Sequence, residues 1–274
     1  MENVLAMKYN SESLVVQANE LIRSPQDGLN LVEAKLIRLA ISQIVETDTE
    51  LRTYSCKVVD LAKFIGVAQD NIFRDMEQII DNLMRKVITI IDKTSIKRNS
   101  EYNYKKFHWV DTCYYNSGTI TLKLSNELKP YLVGLNELFT RYGYENILKL
   151  PTSNSIRLYE LLLSYESIVN TYEPGFRATK IFPEVDRADD ELIFTINYLK
   201  KYFDCIGKYE RDRDFVKRVI DSSVNAINKY SPTYRVSYRT AKNGRKLGYV
   251  LFRVNAWSDE EFREFIVSRK GGDK

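Results

Sequence analysis

Apolar residues first settle into a helical period over 30–45, where Ile37, Ala40, Ile41 and Ile44 recur at i, i+3, i+4 and i+7. Asn30 precedes them as an N-cap, with Glu33 three positions on to complete a capping box. A short strand is expected over 52–59. Helices follow at 60–65 and 70–85, the second with Met76, Ile79, Ile80 and Leu83 along one face and Asp70 as its cap. The pattern then turns to strands: Val87-Ile88-Thr89-Ile90-Ile91, an aromatic run over 104–115, the turn Asn116-Ser117-Gly118, and Ile120, Leu122 and Leu124 in alternation. The order is helix, strand, helix, helix, hairpin.

The second half repeats it. Ser153 or Asn154 caps a helix that keeps Leu158, Leu161, Leu162 and Tyr165 on one side, a strand is expected over 176–182, and helices are expected over 190–203 and 209–229. A hairpin closes the unit, with Tyr234, Val236 and Tyr238 on one strand, Val250, Phe252 and Val254 on the other, and Asn243-Gly244 signalling a type I′ turn between them. Three helices leading into a small antiparallel hairpin describe a winged helix, so the fold class is α+β, two tandem winged helices. Pro151 disfavours helix at Leu150 and suits the first turn after it, which sets the boundary between a first unit at 14–150 and a second at 151–256. Residues 1–13 form an N-terminal arm, and Ser258-x-x-Glu261 opens a C-terminal helix and tail at 257–274.

Composition narrows the chemistry. The chain has 274 residues, 44% of them hydrophobic, enough to fill real cores, and no apolar run approaches the roughly 18–20 residues of a membrane span. The N-terminus has neither a basic n-region nor a sustained apolar stretch, so a cytoplasmic protein is expected. The cysteines Cys56, Cys113 and Cys205 are far apart and read as buried small hydrophobes. His108 is the single histidine, within the aromatic strand, which argues against histidine-rich metal centres and paired-histidine nicking sites. Neither GxxxxGK[ST] nor GxGxxG occurs. No enzyme, metal or cofactor is expected. The carboxylate runs Asp189-Asp190-Glu191 and Asp259-Glu260-Glu261 read as helix starts, where the helix dipole favours negative charge.

Charge is unevenly placed. The net charge is +4, and within 200–246 about thirteen Lys/Arg face about five Asp/Glu. On a helical wheel of the 209–229 helix, Phe215, Val219, Ser223, Ala226 and Ile227 face the core, while Lys217, Arg218, Asp221 and Asn225 face out. Lys208, Arg211 and Arg213 surround its N-terminal turn, the part of a recognition helix that contacts base edges, where Arg can bridge guanine O6 and N7. The rival reading of Arg211-Asp212-Arg213-Asp214 is a set of solvent ion pairs, each worth about 0–1 kcal/mol. Arg235, Arg239, Lys242, Arg245 and Lys246 lie on the expected wing, where point charges suit phosphate oxygens. Tyr209, if exposed, is a candidate for stacking on DNA. In the first unit, Arg74 on the reading helix and Lys93, Lys97, Arg98, Lys105 and Lys106 along the long loop and strand are the counterparts. Asp75, Glu77 and Asp81 weaken that helix as a DNA reader, leaving protein contact as its rival role.

Four stretches carry a family resemblance: Asn30-Leu31-Val32-Glu33-Ala34-Lys35-Leu36-Ile37 with Ala40-Ile41-Ser42-Gln43-Ile44; Leu150-Pro151-Thr152-Ser153-Asn154-Ser155-Ile156-Arg157-Leu158-Tyr159-Glu160-Leu161-Leu162; 209–220 with Val224-Asn225-Ala226-Ile227-Asn228; and Gly244-Arg245-Lys246 to Phe252. In this order they resemble the replication initiator (Rep) proteins of iteron-bearing plasmids, of the RepB/RepE type. The resemblance implies binding of double-stranded DNA at direct repeats, or iterons, of an origin. The second unit would be the main reader, and the first a dimer interface and secondary contact. It further implies a homodimer in equilibrium with monomer, repression of the protein's own gene at an inverted-repeat operator, and contacts with host initiation proteins and helicase. Where the family often has an acidic residue before Ile-Asn, this chain has Ala226. The rival readings are a dedicated winged-helix repressor bound to one operator, a nicking initiator with a tyrosine nucleophile, and a protein-interaction adaptor.

Overall fold

The computed structural model describes residues 4–92, 103–171, 185, 188, 190–231 and 234–255, without the side chains of 92 and 166–171. The first unit runs β1 (Val4–Ala6), β2 (Leu14–Ala18), α1 (Asn19–Arg23), α2 (Leu31–Ile41), β3 (Thr53–Lys57), α3 (Val58–Ile65), α4 (Gln69–Arg74), α5 (Met76–Arg85), β4 (Val87–Asp92), β5 (Asn103–His108), β6 (Val110–Asn116), β7 (Thr119–Leu124), α6 (Lys129–Leu132), β8 (Phe139–Gly143) and α7 (Glu145–Leu148). A four-stranded sheet has the order β1-β3-β7-β6, β4 and β5 form a separate hairpin, and β2 pairs with β8. Residues 4–6 of the expected arm run parallel to β3, Val4 opposite Thr53.

The capping box of α2 is present in full: the Asn30 side chain accepts from the Glu33 amide at 2.9 Å and the Glu33 carboxylate accepts from the Asn30 amide at 2.9 Å. The expected 70–85 helix is two helices, broken at Asp75 (φ −99°, ψ 9°), and α4 starts from Ala68 without a side-chain cap. Ile72 and Met76 both reach the core, and the break redirects the chain between them. The aromatic strand is also broken. Trp109 is fully buried and its carbonyl accepts from the Ser125 amide, so the chain leaves the β4 hairpin there and joins β7 instead.

The second unit consists of α8 (Ser153–Thr171), β9 (Glu191–Thr195), α9 (Ile196–Tyr202), α10 (Asp212–Phe215), one π turn (Val216–Asp221), α11 (Ser222–Tyr230), β10 (Arg235–Asn243) and β11 (Lys246–Asn255), with sheet order β10-β11-β9. The order of elements follows the expected plan, with three corrections. The cap of α8 is Thr152, whose hydroxyl accepts from the Ser155 amide at 3.1 Å, not Ser153 or Asn154. Residues 191–195 are a strand rather than the start of a helix. Both faces of β9 meet apolar neighbours, so no polar alternation marks it, and Glu191 is held by Arg239 instead of serving a helix N-terminus. Asn243 pairs with Lys246, so the central residues of the turn are Gly244 and Arg245 rather than Asn243 and Gly244; φ is positive at Gly244 (61°) and not at Arg245, the type II′ pattern in place of the expected I′. The expected strand at 176–182 and the C-terminal helix lie outside the described residues.

The two units share one core. Ile156, Leu158, Tyr159, Leu161 and Leu162 of α8 are fully buried within it. Arg38 of α2 donates to both oxygens of Glu160 on α8, at 3.0 and 2.8 Å, while Gln17 of β2 and Tyr142 of β8 donate to the same carboxylate. Tyr234, leading into β10, stacks on Tyr159 with centroids 5.2 Å apart and donates to its carbonyl at 2.8 Å. These ties place α8 as the member common to both units. The second unit's helices and wing are therefore held against the first unit's core.

Candidate nucleic-acid interface

Residues 212–230 form a continuous helical run whose inner side is Phe215, Val219, Ser223, Ala226 and Ile227, all buried as the wheel requires. Its outer side exposes Arg213, Lys217, Arg218 and Asn225. Lys200 of α9 holds the N-terminal end through Asp212 at 2.7 Å. At the other end Asn228 makes a two-point tie to the wing: its carbonyl oxygen accepts from the Val236 amide at 2.7 Å and its amide donates to the Val236 carbonyl at 2.8 Å. Midway, the Tyr238 hydroxyl donates to Asp221 at 3.3 Å. The angle between helix and wing is thus fixed by side chains rather than left to a loop.

Between them lies an open groove of about 540 Å³, with Arg213, Lys217 and Asp221 on the helix wall, Tyr238, Thr240 and Lys242 on the wing wall, and Val216 and Leu247 also lining it. Three cations therefore face one carboxylate. Arg213, Lys217, Arg218, Lys242, Arg245 and Lys246 make no ion pair with another described residue, so their charges are available to a ligand. Arg245 and Lys246 occupy the exposed wing tip. Gly248 in β11 has no partner opposite it where the register shifts, and a Cβ there would sit 2.5 Å from Asn243 Cβ and 2.9 Å from its amide nitrogen. The glycine lets the tip curl over the groove.

Other expected contacts sit differently. Arg239 is clamped by both oxygens of Glu191, at 2.8 and 2.7 Å, and these hydrogen bonds hold the Glu191 carboxyl below its ordinary range. That pair fastens β10 beside β9. Lys208 pairs with Asp204 at 3.0 Å, Arg211 is exposed at the start of α10, and Arg235 is exposed at the start of β10. Tyr209 is not a free stacking platform, because its ring is half-buried edge-on against Phe215 at 5.9 Å. In the first unit Arg74 pairs with the neighbouring Asp75 at 2.8 Å, and Lys105 pairs with Glu127 at 3.0 Å. Lys93, Lys97 and Arg98 lie outside the described residues. His108 is an exposed member of β5, paired in the ladder with Val87. Cys56 and Cys205 are buried and Cys113 is half-buried, and burial raises all three thiols.

The roles of Asn228, Tyr238, Glu191 and Gly248 were not legible from residue type alone. Asn228 carried the clearest signal, a polar residue closing an apolar run immediately before the hairpin. Asn228→Ala is expected to cost about 2 kcal/mol, two hydrogen bonds at about 1 kcal/mol each, in denaturant unfolding. Gly248→Ala is expected to cost about 1–3 kcal/mol through forced repacking. With its fold retained, it should weaken DNA binding in a band shift by displacing Lys242, Arg245 and Lys246 together.

Two winged helices on one core, the second bearing a cationic groove between its third helix and its wing, define a tandem winged-helix protein of the nucleic-acid-binding kind. Residues 14–163 match the family model described as "Initiator Replication protein, WH1", and residues 195–254 match "Initiator Rep protein, WH2". The chain belongs to this family of replication initiators. It is 24% identical over 248 residues to a "Replication initiation protein" of Escherichia coli, covering 89% of this chain and 70% of that one. It is also 23% identical over 171 residues to an uncharacterized 27.6 kDa protein of Escherichia coli, covering 58% and 69%. In fold it is similar to the Pi initiator protein, solved in complex with iteron DNA, with a TM-score of 0.63 at 16% identity over 92% of this chain and all of the other. Among the described residues no helix is long and apolar enough to cross a membrane.

Proposed function

We propose that this protein starts plasmid replication by binding the direct repeats of its origin, with the second unit's helix in the major groove and both wings on phosphates. The observation that carries this is the groove that brings Arg213, Lys217 and Lys242 together on a chain of the initiator family. Arg213 and Arg211 read base edges from the first turn of the helix, and Lys217 and Arg218 contact the flanking backbone. Lys242, Arg245 and Lys246 position the complex without selecting sequence. Arg235 and Lys208 add charge at the edges of the site, and Arg239 serves chiefly to fasten the wing. Lys93, Lys97, Arg98 and Arg74 of the first unit make the weaker, second set of contacts.

On this reading the protein works by binding and opening DNA rather than by cutting it, in the cytoplasm, with host initiation proteins and helicase as partners. A dimer formed through the first unit represses the protein's own gene. Band-shift titration on the DNA upstream of its gene tests this directly. A ladder of retained species equal in number to the direct repeats is expected, with no nicking of supercoiled DNA in Mg²⁺. A single shifted band on one inverted repeat would replace initiator by dedicated repressor.

A further inference from the structure

At the seam of the two units is a small cavity of about 20 Å³ that takes no part in the DNA groove. It is lined by Arg38 of α2, Arg157, Ser153 and Asn154 of α8, and Gln26, Asp27 and Gly28 of the loop before α2, among others. Arg38 spends Nε and Nη2 on Glu160, and Arg157 spends Nη2 on the carbonyls of Ser24 and Tyr202, each at 3.1 Å. On each guanidinium Nη1 is buried without a hydrogen-bond partner. Both residues are more than nine-tenths buried, at 1% and 8% exposure. Glu160 balances one of the two charges, and Arg157 has no carboxylate within ion-pair distance among the described residues. The first turn of α8, a 19-residue helix, adds the positive end of its dipole through Ser153 and Asn154.

Orphaned, buried charged donors are costly, and a buried unpaired charge is more so. The opposing feature is Asp27, but it lies at the exposed rim and its carboxylate is engaged by the Val87 amide at 2.9 Å. We infer that this cavity is a binding site for one small inorganic anion of chloride size, held by the free nitrogens of Arg38 and Arg157 and the start of α8. A volume near 20 Å³ is enough for a particle of about water size, which suits a monatomic halide. The anion neutralises the second guanidinium and ties α2 to α8, so that it couples the two units without touching DNA.

Thermal unfolding of the full chain at constant ionic strength, with chloride replacing gluconate, tests the site. Tm should rise saturably by roughly 2–5 °C across 0–300 mM chloride. Arg157→Gln should abolish that rise, whereas Lys63→Gln, an exposed change on α3, should keep it. Crystals of the wild-type protein grown in bromide give a second readout that no variant can compromise: an anomalous peak between Arg38 and Arg157 is expected. Superposable chloride and gluconate curves, or bromide peaks only at surface lysines with water in the cavity, would overturn the assignment.

Discussion

Glu160→Ala is expected to destabilise the protein by about 3–5 kcal/mol, a fall in Tm of roughly 6–20 °C, because it strands the fully buried Arg38 guanidinium without its counter-charge. The loss exceeds that of a surface pair because Gln17 and Tyr142 also donate to this carboxylate, and all four residues are buried at the seam. Burial by itself pushes the Glu160 carboxyl up most strongly. The Arg38 charge and the hydrogen bonds from Arg38 and Tyr142 more than offset it and hold the group below its ordinary value of 4.5. A depressed acid contributes stability that is fully present above the unfolded value and lost as pH falls through the folded one. Urea unfolding between pH 3 and 7 should therefore show an acid limb below about pH 4.5 that flattens in Glu160→Gln. An unchanged limb together with a loss below 1 kcal/mol in Glu160→Ala would remove this network from the account of how the units are joined.

Arg213→Ala is expected to weaken binding to repeat DNA by about 1–3 kcal/mol, roughly 5- to 150-fold, with a smaller loss on unrelated DNA. Lys246→Ala should weaken both alike and reduce the log–log salt slope by about 0.9, the share of one phosphate contact. The distinction follows from position: Arg213 lines the groove at the first turn of the helix, whereas Lys246 stands at the wing tip. Equal losses on the two DNAs in both variants would abolish the division between reading and positioning.

Periodicity alone reached most of the architecture: the buried faces of α5 and the 212–230 helix are those that the apolar spacing marks, whereas α2 over 33–41 and α8 over 155–162 are buried on every side, and α2 ends at Ile41, short of the marked Ile44. What it could not reach were places where long-range packing decides. β9 is apolar on both faces, so its period of two is invisible, and Trp109 bends an aromatic run that locally reads as one strand. The pairing of β2 with β8 joins segments more than 120 residues apart and leaves no local mark. At the site, the cations were legible from charge excess over 200–246, but their allocation was not. Arg239 and Lys208 resemble Lys242 and Lys246 in sequence, and only the fold shows that Glu191 and Asp204 occupy them. Asn228 and Gly248, which set the angle and curl of the wing, act through backbone atoms that no composition reveals.

Whether the second unit's helix and wing read origin repeats is decided by the affinity of the whole protein for repeat DNA and for scrambled DNA across a series of salt concentrations. About six phosphate contacts predict a log–log slope near −5 on both DNAs. Base-edge contacts from Arg211 and Arg213 predict in addition a preference for the repeat of at least about 10³-fold that survives as salt rises. A flat salt dependence, or equal affinity for the two DNAs at every salt, would contradict that reading.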